Sequence, residues 1–335
     1  MSIDEKYMWR TLQLAKKGLG TTKNNPLVGS VIVHNGIIVG EGYHRKMGEA
    51  HAEVNAINSV KDQSLLKQST LYVSLEPCSH HGKTPPCAEL IANKGIPRVV
   101  IAVEDPNKKV AGKGIEMLEG AGADVTVGVL EQEAKELNES FFVNQIENRP
   151  FVTLKWAQTK DGFIDYERDG RELPPLKISN SVTQCIVHKL RSQSMGIMVG
   201  TNTALKDNPT LNTRHWYGDN PVRIVLDRTG KLPAHSNLFN DCAPTVVFTG
   251  LSSYPIGNNA TVIKINFDED VIGQVFDKLY EMNIATLFVE GGSKLFSSFV
   301  EKGAWDEAYV EVANIEIGNG VRAPQVSGSA INAKK

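Results

Sequence analysis

His51-Ala52-Glu53, Leu71-Tyr72-Val73-Ser74-Leu75 with Pro77-Cys78 behind it, the run from Cys87 to Asn93, and Arg98-Val99-Val100-Ile101-Ala102-Val103 decide the fold of the first half of this chain. The pattern predicts a helix from about His51 to Val60, a strand over 71–75, a helix from about Cys87 to Asn93, and a strand over 98–103. Strands alternating with helices indicate an α/β sheet with helices on its faces. Downstream, a helix is expected near 112–120, a strand at Val125–Leu130 and a helix running to about 147. Upstream, Val31-Ile32-Val33-His34, Asn35-Gly36, Ile37-Ile38-Val39 reads as a hairpin, because Asn-Gly suits a type I′ turn. Residues 2–20 read as an amphipathic helix, with Met8, Leu12, Ala15 and Leu19 at helical spacing and Ser2 with Glu5 as a capping box.

Asn148-Arg149-Pro150 breaks the last of these helices, and a second strand-led unit opens at Phe151-Val152-Thr153-Leu154-Lys155. The expected domains are therefore 1–147 and 150–335, both α/β and each large enough for a core of its own. In the second, strands are expected near 151–157, 196–200, 222–227, 245–249, 261–265, 286–290 and 307–313. Helices are expected over about 180–193, 269–283 and 294–302. The charged loop 165–177, with Pro174-Pro175, is expected to be mobile or ordered by a ligand.

The chain has 335 residues, 41% of them apolar and 22% charged, which excludes wholesale disorder. No apolar run approaches the ~18 residues of a membrane span, and Met1-Ser2-Ile3-Asp4-Glu5-Lys6 carries no export core, so a cytoplasmic protein without a membrane partner is expected. Thirty-six Lys and Arg against 38 Asp and Glu give a net charge of −2, with no basic surplus for a nucleic-acid partner. The four cysteines, Cys78, Cys87, Cys185 and Cys242, are too few for a disulfide scaffold and read as thiols, metal ligands or core residues. Cys185, inside Val182-Thr183-Gln184-Cys185-Ile186-Val187, reads as a buried small hydrophobe.

His51, Cys78 and Cys87 are good zinc ligands, and three protein ligands leave one tetrahedral position for water. Glu53, two residues from His51 at a helix start, is placed to move a proton without ligating the metal. The pattern matches that of zinc deaminases, H-x-E followed by P-C-x-x-C, except that eight residues separate the two cysteines here. The longer loop has room for a larger or phosphorylated substrate, and Lys83 within it is either a phosphate contact or a solvated lysine. Two other readings stay open: a closed zinc staple with His44, His80 or His81 as fourth ligand, and a Cys78–Cys87 disulfide.

Several motifs carry a resemblance. Asn24-Asn25-Pro26-Leu27-Val28-Gly29, Gly40-Glu41-Gly42-Tyr43-His44, His51-Ala52-Glu53-Val54-Asn55-Ala56 and the run from Leu75-Glu76-Pro77-Cys78 to Pro85-Pro86-Cys87 resemble the riboflavin-biosynthesis deaminase–reductases. Val103-Glu104-Asp105-Pro106-Asn107 and Val110-Ala111-Gly112-Lys113-Gly114 extend the match. The resemblance implies a cytidine-deaminase-like domain acting on a diaminopyrimidinone that carries ribose phosphate. It implies zinc on His51, Cys78 and Cys87, proton transfer by Glu53, and a substrate pocket lined by Asn25, His44 and Lys83.

The second half has no G-x-G-x-x-G opening a helix after a strand, so a Rossmann fingerprint is absent. Leu287-Phe288-Val289-Glu290-Gly291-Gly292-Ser293 is a strand running into glycines and a helix, either an anion cradle or a tight turn. Val199-Gly200-Thr201-Asn202-Thr203 reads as a loop after a buried strand or a second backbone contact, and Asp207-Asn208-Pro209 as a turn. Leu154-Lys155, Asp161-Gly162, Ile178-Ser179, His188-Lys189-Leu190-Arg191, Val199 to Thr203, Asp207 to Leu211 and Val222 to Asp227 are similar to the reductase half of the same family. That likeness implies a dihydrofolate-reductase-like α/β domain that uses NADPH to reduce the ribosyl group to ribityl. It implies cofactor contacts from Thr203, Asp207, Gly292, Ser293 and Leu295, and substrate contacts from Lys155, Arg191, Leu211, Arg214 and Glu290. Many members place Trp before the Ile-Ser/Thr pair, where this chain has Leu176-Lys177, and Ser-Leu-Asp-Gly is here Thr159-Lys160-Asp161-Gly162.

A two-step enzyme is the expectation. Its rivals are a deaminase whose second domain binds ligand without reducing it, a zinc-stapled binding protein, and a nucleic-acid base deaminase, the last disfavoured by charge and by the long cysteine loop. Two fused activities are compatible with a homo-oligomer.

Overall fold

The structure, a computed structural model, describes residues 1–81, 85–107, 110–168, 174–255 and 260–326. The chain divides into two compact units, Met1–Asn148 and Arg149–Lys335.

The first unit runs α1 (Ile3–Ala15), β1 (Gly29–His34), β2 (Ile37–Tyr43), α2 (Ala52–Ser59), β3 (Thr70–Val73), α3 (Cys87–Lys94), β4 (Arg98–Ile101), α4 (Lys113–Gly120), β5 (Asp124–Val127), α5 (Glu131–Leu137) and α6 (Glu139–Glu147). Its sheet has the order β2-β1-β3-β4-β5, antiparallel at β2-β1-β3 and parallel from β3 to β5. Strand side chains alternate between faces, and the core splits accordingly. Ile32, Leu71, Val73, Val99 and Ile101 pack against α2, α3 and α4 through Ile57, Ile91 and Leu118. Val31, Tyr72 and Val100 pack on the other face against Tyr7, Met8 and Leu12 of α1. Asn35 and Gly36 both take positive φ, +48° and +77°, as a type I′ turn demands. The Ser2–Glu5 capping box forms at the start of α1.

Two expectations change here. The first helix stops at Ala15 and tightens into a 3₁₀ turn over Lys16–Gly18, ahead of Gly20 at φ +85°. The helix expected to run unbroken to about 147 is two, parted at Asn138. The Asn138 amide accepts from the Leu27 N–H at 2.7 Å and donates to the Leu27 carbonyl at 2.9 Å, pairing with that backbone as a strand neighbour would.

The second unit runs β6 (Phe151–Thr159), β7 (Phe163–Asp165), α7 (Ser181–Gln193), β8 (Gly196–Gly200), α8 (Thr201–Asp207), β9 (Val222–Leu226), β10 (Thr245–Thr249), β11 (Thr261–Lys264), α9 (Val271–Glu281), β12 (Thr286–Gly291), α10 (Ser293–Glu301), β13 (Glu307–Ala313) and β14 (Val321–Arg322). Seven strands form a parallel sheet in the order β11-β10-β9-β8-β12-β6-β13, and β14 pairs with β7. Both faces are covered, so the strands read as nearly continuous apolar runs. Met198, Ile224, Val246, Phe248, Leu287 and Val289 belong to one core, and Ile197, Val199, Val225, Val247 and Phe288 to the other. The chain steps outward from β8 to β11 and returns through α9 to β12, between β8 and β6. The carboxyl ends of β8 and β12 therefore flank a topological switch point, where open α/β sheets bind ligands.

Residues 201–207, read as loop and turn, form α8, a helix too short to show a periodic signal. Cys185 is exposed, not buried, because α7 turns Val182, Cys185 and Ile186 outward; an apolar run is no guarantee of burial. Among the described residues no helix is long and apolar enough to cross a membrane.

Candidate active sites

In the first unit the ligand atoms of His51, Cys78 and Cys87 lie within 4.8 Å of one another. His51 is the residue before α2 and makes no side-chain cap, which leaves its ring free to face the sulfurs. Its Nδ1 is 3.6 Å from the Cys78 sulfur and 3.4 Å from that of Cys87. Cys87 opens α3, and its N–H donates to the Cys78 sulfur at 3.3 Å. One imidazole nitrogen and two sulfurs on three separate turns are a zinc donor set. Hydrogen bonding from Cys87, helped by His51, holds Cys78 well below the usual thiol range, and the same bond pushes Cys87 up. A divalent cation bound there would favour both sulfurs as thiolates.

Glu53 lies in the first turn of α2 and is 3% exposed. Burial pushes its carboxyl up to about 7, with the sulfur of Cys78 acting in the same direction and His51 opposing. Among the described residues no fourth His, Cys, Asp or Glu joins the three. The His44 Nδ1 is 3.2 Å from the Ala50 carbonyl, and its Nε2 is 3.1 Å from the Asn25 amide nitrogen. Its ring stands edge-on to His51 with centroids 5.6 Å apart. Asn25 and His44 thus come together beside His51, with His44 turned to Asn25 and Ala50. The His81 Nε2 is 3.4 Å from a Glu89 carboxylate oxygen. The four cysteines are all free thiols, so the disulfide reading is not what the structure shows. Lys83 lies outside the described residues.

In the second unit, β8 and β12 are neighbours, and each ends in glycine at a helix without a side-chain cap. An ideal Cβ on Gly200 would stand 3.9 Å from the Gly291 carbonyl oxygen and from the Gly292 nitrogen. One on Gly292 would stand 2.8 Å from the Thr203 hydroxyl, too close for a side chain. Gly291 is at φ +131°, a conformation open to glycine. The result is a cradle of bare backbone at the switch point, fitted to an anionic group such as a dinucleotide phosphate. Ser293 donates its hydroxyl to the Arg322 carbonyl at 3.0 Å, and Leu295 sends its side chain into the core. What both residues bring to the cradle is their place in the first turn of α10.

The remaining expected residues are placed differently from one another. The Arg191 fork is bidentate to Glu290, at 2.6 Å for each bond, and its third nitrogen donates to the Asn212 carbonyl at 2.9 Å. Arg191 and Glu290 act as one part-buried pair. Lys155 is half-buried on β6, and its charge reaches Glu290. Leu211 is buried at φ +52°, and Arg214 is exposed with one nitrogen 3.0 Å from the Asn212 amide oxygen. Asp207 meets Arg168, whose guanidinium is 2.8 Å from it and 2.5 Å from Asp165. Nothing in the sequence marked Arg168, which is buried although it stands in the charged loop. A cavity of about 710 Å³ is lined by Tyr166, Glu167, Pro174, Pro175, Leu176, Lys177 and Asn319.

Comparison with known proteins agrees with both halves. Residues 1–103 match the family described as the cytidine and deoxycytidylate deaminase zinc-binding region, and residues 150–334 match the RibD C-terminal domain. The riboflavin biosynthesis protein RibD of Aquifex aeolicus is 41% identical over 327 residues, covering 95% of this chain and 89% of the relative. That of Bacillus amyloliquefaciens is 41% identical over 341 residues, covering 99% and 90%. The crystal structure of a diaminohydroxyphosphoribosylaminopyrimidine deaminase/5-amino-6-(5-phosphoribosylamino)uracil reductase from Thermotoga maritima superposes with a TM-score of 0.87 at 39% identity, covering 96% of this chain and 89% of that one. With its deaminase-type and reductase-type halves matched in order along nearly its whole length, the chain belongs to the RibD family of riboflavin-biosynthesis proteins.

Proposed function

We infer that the chain catalyses two consecutive steps of riboflavin biosynthesis on a pyrimidine ribose phosphate. Residues 1–147 hydrolytically deaminate 2,5-diamino-6-ribosylamino-4(3H)-pyrimidinone 5′-phosphate, and residues 150–335 reduce its ribosyl group to ribityl with NADPH. The observation that carries this reading is the three-ligand group beside the buried Glu53 carboxyl, in a chain whose second sheet ends in a glycine cradle.

His51, Cys78 and Cys87 would hold zinc, which when bound would supply the Lewis acidity for hydrolytic deamination. Glu53 holds a proton at its carboxyl and passes it to the departing amine, so that water enters and ammonia leaves. Asn25 and His44 orient the ring, and Lys83 is assigned to the phosphate. NADPH supplies the hydride of the second step. Gly292, Ser293 and Leu295 offer it backbone, Thr203 its hydroxyl, and Asp207 its carboxylate. Lys155, Leu211, Arg214 and the Arg191–Glu290 pair form the wall against the sugar phosphate. A cytoplasmic location suits four free thiols and small-molecule substrates.

The test follows ammonia release and NADPH oxidation together, with and without a zinc chelator. Zinc-loaded protein is expected to give both signals from the diamino substrate. Chelation is expected to abolish ammonia release while leaving NADPH oxidation intact when the deaminated intermediate is supplied. Ammonia without oxidation would favour the non-reducing reading, which the Arg168–Asp207 contact makes specific. Silence in both channels with zinc bound would overturn the substrate assignment.

The glycine cradle gives a second expected result. Gly292→Ala places a methyl group against the Thr203 hydroxyl, and an overpacking cost of about 1–3 kcal/mol, if it falls on the cofactor-bound state, corresponds to a roughly 5- to 150-fold rise in the KM for NADPH. Ammonia release should not change. A KM within about twofold of wild type would take the cofactor phosphates away from this cradle.

A further inference from the structure

Two motifs have no role in the reading above: Glu76, just ahead of Pro77-Cys78, and the segment from Asp105 to Gly114. The structure joins them. The Glu76 carboxylate is 4% exposed. One of its oxygens accepts from the N–H groups of Asp105 at 3.2 Å and Gly112 at 3.0 Å, and the other from the N–H of Gly114 at 2.8 Å. Its own N–H donates to the Val103 carbonyl at 2.9 Å. Helix α4 starts at Gly112 in the left-handed region, with no side chain of its own to cap it. Glu76 supplies that cap from the far end of β3, where orphan N–H donors and the positive end of the helix dipole favour a carboxylate.

The consequence reaches the metal ligands. An ideal Cβ on Gly114 would stand 2.1 Å from the Pro77 carbonyl oxygen, so α4 is seated directly on the peptide that precedes Cys78. On the other side, the Cys78 carbonyl accepts the Ala88 N–H at 3.1 Å and the Cys78 sulfur accepts the Cys87 N–H. The Cys78 turn is thus clamped between α3 and α4, and the α4 half of the clamp closes on a single carboxylate. We propose that Glu76 is a positioning residue for the zinc site, holding the Cys78 turn in ligating geometry by capping α4 while touching neither metal ligands nor substrate. This rests on His51, Cys78 and Cys87 being the zinc set. The test reads metal binding directly, so its outcome is separable from that of the substrate assignment.

Glu76→Gln keeps the size of the side chain but leaves one carbonyl oxygen to three N–H groups and turns a second donor toward them. Zinc affinity, measured by competition with a chromophoric chelator, is expected to fall roughly 10- to 100-fold, the usual effect of losing a partner that orients a metal ligand. The kcat for ammonia release at subsaturating zinc should fall with it, and excess zinc should restore a large part. NADPH oxidation on the deaminated intermediate should stay at the wild-type rate. Glu76→Asp, which keeps the charge but withdraws it by one methylene, should fall between. In the unaltered protein, amide hydrogen exchange at Gly112 and Gly114 should slow when zinc binds, whether or not either variant folds. Zinc affinity within about twofold of wild type in a folded variant would overturn the proposal and leave Glu76 a fold-stabilising residue. Exchange at Gly112 and Gly114 that is indifferent to zinc would overturn it as well.

Discussion

Replacing Glu53 with Gln is expected to leave zinc bound at full stoichiometry and to slow ammonia release by roughly 10²- to 10⁴-fold, the range lost with a general acid–base group. The argument is geometric. Glu53 sits one residue into α2, two positions from His51, and is buried. It is not one of the three clustered ligands. A glutamine fills the same space and keeps hydrogen-bonding capacity but cannot carry a proton from water to a leaving amine. Zinc content by metal analysis and ammonia release by a coupled assay are the two readouts, with NADPH oxidation on the deaminated intermediate as an internal control for the other unit. A closed zinc staple would show neither loss. Loss of zinc along with activity would make Glu53 a ligand or a packing residue instead of a proton carrier.

The metal site was legible because its information is local. Residue type, a helix start and two strand-to-helix turns are each written in a few consecutive residues, and the hairpin at Asn35-Gly36 is encoded in two. The sheet was legible for a similar reason, since runs such as Val99 to Ile101 are apolar on both faces of a covered sheet. What stayed hidden is whatever depends on partners far apart in the chain. Asn138 looked like one more helical residue, and only its two bonds to the Leu27 backbone explain why α5 and α6 part there. Glu76 was visible as a motif letter, while the three N–H groups it caps lie 29 to 38 residues away. Helix α8 was missed because seven residues give no period to read, and Cys185 because a helix can turn apolar side chains to solvent.

The reductase residues show the same limit more sharply. The resemblance implies a substrate contact from Arg191 and another from Glu290, and a guanidinium fork could grip a phosphate through two N–H groups. In the structure that fork is already filled, by a carboxylate 99 residues away. Asp207 likewise meets Arg168, a partner that a single sequence gives no reason to choose. A phosphate contact from the guanidinium of Arg191 would have to compete with a bidentate carboxylate at 2.6 Å. The pair is better understood as a rigid wall that ties Glu290 of β12 to Arg191 of α7 and, through it, to the Asn212 carbonyl.

Breaking that wall should therefore have the largest effect in the second unit. Arg191→Met leaves the Glu290 carboxylate, only 13% exposed, without its cation, and removing one partner of a pair so enclosed destabilises by up to about 3–5 kcal/mol. Chemical denaturation should show this loss in the second unit alone, with ammonia release retained and NADPH oxidation lost. The effect should also depend on pH. Burial by itself would raise Glu290, but the charge and hydrogen bonds of Arg191 outweigh it and hold the carboxyl below the usual glutamate value of 4.5. A carboxylate lowered in the folded state contributes stability that is fully present above its unfolded pKa and lost as pH falls through the folded one. Wild-type protein should thus lose this contribution only in acid, below the usual glutamate range. In Arg191→Met the unpaired Glu290 shifts upward and is neutralised sooner, so the gap between variant and wild type should narrow as pH falls. A gap that widens in acid, or a loss under about 1 kcal/mol at neutral pH, would mean the pair is screened as a surface ion pair is. The double change Arg191→Met with Glu290→Leu separates scaffold from chemistry. Apolar replacement of both partners should recover much of the stability, because the desolvation of two charges disappears with them. If NADPH oxidation does not return with the fold, the charges themselves are needed at the sugar; if it does return, the pair serves only to hold the wall in place.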